Sequence, residues 1–148
     1  MGDSVATGLA AALPAEWLAE PWQEWEALVF GLAAQAAREA IRRLCEKLDE
    51  QLARVRLPGW RLVGLRRHTL VTPWGAVSIQ RRLYRRGASC LFLLDRLLGW
   101  VGRRSYSQAV ASVAIMTASW LPFRKASELL TSLGMPLSAM TIHRLVQQ

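Results

Sequence analysis

The side chains best equipped for chemistry are arginines in adjacent pairs: Arg66-Arg67, Arg81-Arg82 and Arg85-Arg86. A guanidinium is a planar fork of N–H donors that keeps its charge, so it can grip phosphate or a guanine edge with two bonds at once. A lysine ammonium matches that geometry less well, and the only lysines are Lys47 and Lys125. From Gln51 to Gln148 there are fifteen basic side chains and two acidic ones, Asp95 and Glu128, whereas the first fifty residues carry nine acids and four bases. The formal net charge of +8 is therefore about −5 followed by +13. Attraction for a polyanion follows, with nucleic acid the foremost. A solvated basic surface, or a genome rich in arginine codons, would give the same composition.

Other chemistries find little support. Two-metal phosphoryl transfer needs clustered carboxylates holding ions about 3.5–4 Å apart. After residue 50 only Asp95 and Glu128 are available, and the earlier acids interleave with Arg and Lys as solvated helix pairs do. Cys45 and Cys90 each stand alone, which excludes a zinc ribbon or finger and a disulfide framework and predicts reduced, buried thiols in a cytosolic protein. A nucleophilic thiol would need a nearby histidine, and Cys90 has only His68 and His143, at spacings that mean nothing by themselves. His68, within an arginine-rich strand, reads as a surface or phosphate-contacting residue. The residues thus describe a binding protein, with no catalytic set, metal site or cofactor of its own.

The elements that must position these arginines follow from hydrophobic period and turn residues. Residues 1–21 read as a flexible tail, and Val5–Leu13 lacks the preceding basic residue of a secretory signal. Trp25, Val29, Leu32, Ala36, Ile41, Leu44, Leu48, Leu52 and Val55 recur at helical spacing and predict one long amphipathic helix over 22–57. Its stripe faces a core or forms the seam of a homodimer. Over 58–90 the period changes to two: Val63, Leu65, Thr69 and Val71, then Val77, Ile79 and Leu83 beyond Thr72-Pro73-Trp74-Gly75, predict a β-hairpin. Its arginines can grip a duplex or serve as edge charges that prevent aggregation. Trp60 and Trp74 flank it, to pack the ribbon on helices or stack on unpaired bases.

Residues 91–121 read as helical, with Leu91–Leu98 covering the hairpin and Tyr106, Val110, Val113, Thr117, Trp120 and Leu121 at helical spacing after an N-cap at Ser105 or Ser107. Ser105–Phe123 is uncharged and almost long enough to cross a bilayer, but too polar for a membrane helix. Over 122–148, Ala126, Leu129, Leu130 and Leu133 mark one buried helical face. Gly134 and Pro136 stop that helix, and Ser138 caps a second. Leu137 and Ile142 staple its start, and Leu145 and Val146 pack it back. Two helices on a tight turn make a helix-turn-helix, or any αα-hairpin. As a helix-turn-helix, the second helix would present Ser138, Thr141, His143, Arg144 and Gln147 to the major groove, with Arg124 and Lys125 nearby on the first. The fold predicted is mainly α with a central β-hairpin (α+β), closed by a helix-turn-helix.

The order of motifs resembles a known family. Arg66-Arg67-His68-Thr69-Leu70-Val71-Thr72-Pro73-Trp74-Gly75-Ala76-Val77 is followed by Arg81-Arg82-Leu83-Tyr84. Leu93-Leu94-Asp95, Leu98-Gly99 and Phe123-Arg124-Lys125-Ala126-Ser127-Glu128-Leu129-Leu130 come next. From Trp22 to Gln148 this is similar to the N-terminal region of bacterial ISLre-type insertion-sequence transposases, with Arg96 where that family tends to have an acid. The resemblance implies a DNA-binding part that recognises terminal inverted repeats. It also implies a chain truncated before the RNase H-like domain whose carboxylates hold magnesium, hence no strand transfer by this chain. It further implies a cytoplasmic, nucleoid-associated location. The other classes compatible with the residues are a helical oligomerisation protein with no nucleic-acid role and a peripheral membrane protein that uses residues 105–123.

Overall fold

The computed structural model describes residues 22–55, 57–100 and 105–148. The expected tail over 1–21 lies outside them. The chain divides into two units, Met1–Ala34 and Gln35–Gln148. Helix α1, Trp22–Leu52, begins in the first and continues into the second. In the first unit Trp22, Leu28, Val29, Phe30 and Leu32 are all more than half exposed.

Within the second unit, β1 (Arg61–Thr72), β2 (Gly75–Arg86) and β3 (Ser89–Phe92) form an antiparallel sheet in the order β1-β2-β3. Helices α2 (Leu93–Leu97), α3 (Gln108–Trp120), α4 (Phe123–Ser132) and α5 (Ala139–Val146) follow. The described residues are thus mixed α+β, with a third strand where the sequence predicts the start of a helical segment. Strand β3 forms because Gly87, at φ +59, lets the chain double back so that Arg86 meets Ser89 and Leu83 meets Phe92. At the expected hairpin turn, the Thr72 hydroxyl donates to the Gly75 carbonyl at 2.7 Å, and Gly75 takes the positive φ of +108.

Two apolar clusters hold this unit together. In one, Cys45, Leu70, Val77, Ile79 and Leu94 are buried, with Ile41, Leu48, Leu52 and Trp100 packed on them. Ile41, Cys45, Leu48 and Leu52 step by four, three and four along α1, so Cys45 lies at the centre of the packed face and Leu44 at its edge. Leu44 and Val55, expected in the stripe, are 60% and 53% exposed. Strand residues Val63 and Leu65 also face solvent, while Leu70, Val71, Val77, Ile79 and Tyr84 are buried.

Helix α1 also closes an edge of the sheet. Beyond the reach of β3, the N–H groups of Gln80 and Arg82 have no strand partner, and carboxylates of α1 take them. The Gln80 N–H donates to Glu46 Oε1 at 3.3 Å, and the Arg82 N–H donates to both Asp49 oxygens at 3.1 and 3.2 Å. An open edge is a template for aggregation, and this one is satisfied by side chains one helical turn apart.

The second cluster gathers Val71, Val110, Ala111, Ala114, Ala126, Leu130, Met135, Leu137, Ile142 and Leu145. Val71 links it to the sheet: its N–H donates to the Ser105 carbonyl at 2.7 Å and its carbonyl accepts from Ser107 N–H at 2.9 Å. Ser107 and Ser138 cap α3 and α5 by accepting from Val110 N–H and Thr141 N–H. Between α4 and α5 runs Leu133–Ser138, longer than a tight turn, with Gly134 at φ +80 and the buried Met135 and Leu137 filling it. Several apolar residues expected in this core lie outside it: Trp120, Leu129, Leu133 and Val146 are 83%, 43%, 53% and 47% exposed. Three short helices around one cluster can each bury only a narrow stripe, and Ala126, Leu130, Ile142 and Leu145 occupy it. No helix among the described residues is long and apolar enough to cross a membrane; Ser105–Phe123 is a bridge, a 13-residue helix and the Pro122 break.

Candidate nucleic-acid interface

Strand register decides what the hairpin arginines can do. Arg66 pairs with Arg81 and Leu65 with Arg82, so neighbours along each strand fall on opposite faces of the sheet. Arg66, Arg81 and Arg85 share one face; Arg67, Arg82 and Arg86 share the other.

Two of the six are held by carboxylates. Arg81 forms an ion pair with Asp95, its guanidinium lies 3.8 Å from the centre of the Phe92 ring, and burial lowers its pKa against the opposing charge of Asp49. Arg82 Nη1 lies 2.7 Å from Asp49 Oδ2, with the Asp49 side chain only 3% exposed. Both act as structural ties between the sheet and its neighbours. The rest are exposed: Arg66 Nη1 donates to the Leu65 carbonyl at 3.0 Å, and Arg85 Nε donates to the Gly87 carbonyl at 2.9 Å. Arg67 makes no ion pair among the described residues.

A further cation, Arg61, joins the open end of the sheet. The register slips by one beside Gly64, and Arg61 then stands directly across from Arg85. Like charges in that relation oppose strand pairing. Neither makes an ion pair among the described residues. Arg86, next in sequence, places its guanidinium 5.5 Å from the centre of the Trp60 ring. Sequence reading passes over Arg61 because it is an isolated arginine at the start of the strand. Without the slip it would face Arg86, and the glycine inside the strand is the signal for the change of partner.

At the C-terminal end, Arg144 is exposed and makes no ion pair among the described residues. The other predicted base-reading side chains are partly engaged. Ser138 Oγ accepts from Thr141 N–H at 3.2 Å and lies 2.9 Å from Thr141 Oγ1. His143 stands edge-on to Phe123 at 5.1 Å, with its Nε2 3.1 Å from Gln147 Nε2. Arg124 and Lys125 share Glu128 at 3.6 and 2.9 Å, and the hydrogen bond from Lys125 holds the Glu128 carboxyl below its ordinary pKa. Both cations occupy the first turn of α4, the end at which the helix dipole disfavours positive charge.

Of the remaining candidates, Cys45 is buried, with its pKa raised by burial, and Cys90 is exposed instead of buried. His68 is half-buried beside Trp100 at 5.4 Å instead of at the surface. No three His, Cys, Asp or Glu side chains among the described residues gather as a metal site.

The chain belongs to the uncharacterised protein family UPF0236, whose model matches residues 14–148. No curated protein matches it.

Proposed function

We propose that this UPF0236 chain binds double-stranded DNA, as the end-binding part of an insertion-sequence transposase similar to the ISLre type. The observation that carries the reading is the Arg61–Arg85 cross-strand pair, with Arg86 at the same end on the other face and no carboxylate paired to any of the three among the described residues. A sheet that places two guanidiniums opposite each other without a counter-ion weakens its own pairing, and a phosphate backbone supplies the missing negative charge. Helices α4 and α5 are read as a helix-turn-helix with a lengthened connection. Arg144 and Thr141 on α5 read base edges, and Arg124 and Lys125 exchange Glu128 for phosphate. Arg66 and Arg67 add phosphate contacts; Arg81 and Arg82 hold the sheet.

Binding to duplex DNA measured over a range of salt tests this. Replacing Arg61 and Arg85 together by Ala removes two phosphate contacts, so the log–log salt slope becomes shallower by about 1.8 on any sequence. Arg144→Ala costs about 1–3 kcal/mol on the preferred site and much less on random DNA. An unchanged slope in the double variant removes the support for the reading.

A second reading, self-association through the N-terminal helix, has its own observation. Trp22, Trp25, Val29 and Leu32 step by three, four and three residues, the spacing of a coiled-coil seam, and Trp22, Val29 and Leu32 are 71%, 61% and 58% exposed. The two readings are compatible in a DNA-binding homodimer. Light scattering of the wild type and of a Val29→Glu/Leu32→Glu variant checks it: dimer for the first, monomer for the second. A dimer that ignores DNA at low salt favours self-association alone.

A further inference from the structure

An open groove of about 430 Å³ lies beside the arginine end of the sheet, lined by Val55, Leu57, Pro58, Trp60 and Tyr84. That volume falls within the range of small-molecule sites, about 300–1,000 Å³. Its walls are apolar and two of them are aromatic; the carboxylate near Tyr84, Asp49, is engaged by Arg82, which leaves Arg86 as the open charge over Trp60. Arg86 reaches across Trp60, its stem lying against Gly59, where an added Cβ would stand 3.2 Å from Arg86 Cδ. Gly59 holds φ +77, so the turn that presents Trp60 and the course of Arg86 depend on the same glycine. Arg61 follows Trp60 in sequence and stands across from Arg85 on the other face of the sheet, so Arg86 is the arginine on the groove side.

A ligand suited to this groove combines a flat, apolar body with an adjoining anion. An aliphatic chain or an apolar peptide would leave the Arg86 guanidinium without a partner, and an inorganic anion would leave the aromatic walls bare. A nucleotide has both parts: a base with a π-face for Trp60 and Tyr84, and a phosphate for Arg86, which shares the Tyr84 face of the sheet. In a fully paired duplex the bases stay stacked inside the helix, so the base that enters must be unpaired. We infer that this groove takes one unpaired nucleobase of the bound DNA, with Arg86 holding its phosphate. The inference rests on the DNA-binding reading above and assigns a separate site within it.

The test compares a fully paired duplex with the same duplex carrying one unpaired nucleotide, using the wild type, Trp60→Ala and Trp60→Phe. Stacking on an aromatic side chain predicts roughly tenfold tighter binding of the unpaired form by the wild type. Trp60→Ala removes that preference and leaves affinity for the paired duplex unchanged; Trp60→Phe restores most of it. With 2-aminopurine at the unpaired position, the wild type quenches its fluorescence on binding, a readout that does not depend on how well a variant folds. Equal affinity for both DNAs with no quenching overturns the inference and leaves the duplex reading standing. A preference that survives in folded Trp60→Ala also overturns it. Binding of the unpaired form alone sinks the duplex reading and keeps the groove, and binding of neither sinks both.

Discussion

Replacing Asp49 by Ala tests how much of the fold depends on one carboxylate, and the structure sets the magnitude. Asp49 is 2% exposed and accepts three hydrogen bonds from a single residue, two from the Arg82 N–H and one from its guanidinium at 2.7 Å. Removing one member of a buried ion pair costs about 3–5 kcal/mol. The Arg82 side chain is 25% exposed, so its guanidinium can regain some water and the cost falls toward the lower bound. The edge N–H of Arg82 also loses its acceptor, which costs about 1–3 kcal/mol where water cannot replace it. The expected destabilisation is therefore about 4 kcal/mol, a fall in Tm of roughly 16 °C for a chain of this size. Asp49→Asn keeps a carbonyl oxygen for the N–H and should lose about half as much. Urea melts of Asp49→Ala, Arg82→Ala and the double variant complete a cycle whose coupling should reach about 1.5–3 kcal/mol. A loss under about 1 kcal/mol for Asp49→Ala, with coupling near zero, would refute the assignment of Arg82 as a structural tie.

Leu130 and Leu129 give a paired control. Leu130 is 0% exposed and Leu129 43% exposed, so Leu130→Ala should cost about 2–5 kcal/mol in chemical denaturation and Leu129→Ala a small fraction of that. Similar losses at both would mean that the helical cluster is packed differently. On α1, hydrogen bonds from Arg42 and then Arg43 lower the Glu39 carboxyl from 4.5 to about 2. A depressed carboxylate contributes stability above its unfolded pKa, near 4.5, and loses that contribution as pH falls through about 2. Its carboxyl carbon, followed by NMR, should titrate near 2, and a midpoint near 4.5 would show that the ion pairs do not persist in solution.

Local pattern carried much of the architecture. The hairpin followed from period-two alternation on either side of Thr72-Pro73-Trp74-Gly75, and the Ser138 cap from residue type ahead of an apolar period. Residue type alone allows Ser105 or Ser107 as the cap of α3, and the structure selects Ser107. Pattern failed where a choice depended on a partner far along the chain. Leu129 and Leu130 are equally apolar neighbours, and only the direction of α5 and α3 selects Leu130. Strand β3 is four residues long and needs β2 to complete it, so its own sequence, Ser89-Cys90-Leu91-Phe92, carries little period.

The arginine pairs show the same limit in the residues that matter most for function. Arg81-Arg82 and Arg85-Arg86 are indistinguishable as dipeptides, yet the first pair is bound to Asp95 and Asp49 and the second is open. Asp49 lies 33 residues before Arg82, on a helix whose acids read as solvated pairs of Arg42, Arg43 and Lys47. What distinguishes it is helical phase: Asp49 follows Leu48 by one residue and Cys45 by four, so it borders the packed face and reaches the sheet edge. Glu39, two residues before Ile41, instead meets Arg42 and Arg43 on its own helix. An acid beside an apolar stripe is therefore a better predictor of a long-range arginine tie than net charge. Subtracting such ties before counting cations leaves Arg61 and Arg85 facing each other, with Arg66, Arg67, Arg86 and Arg144 also open, as the cations on which a DNA-binding role depends.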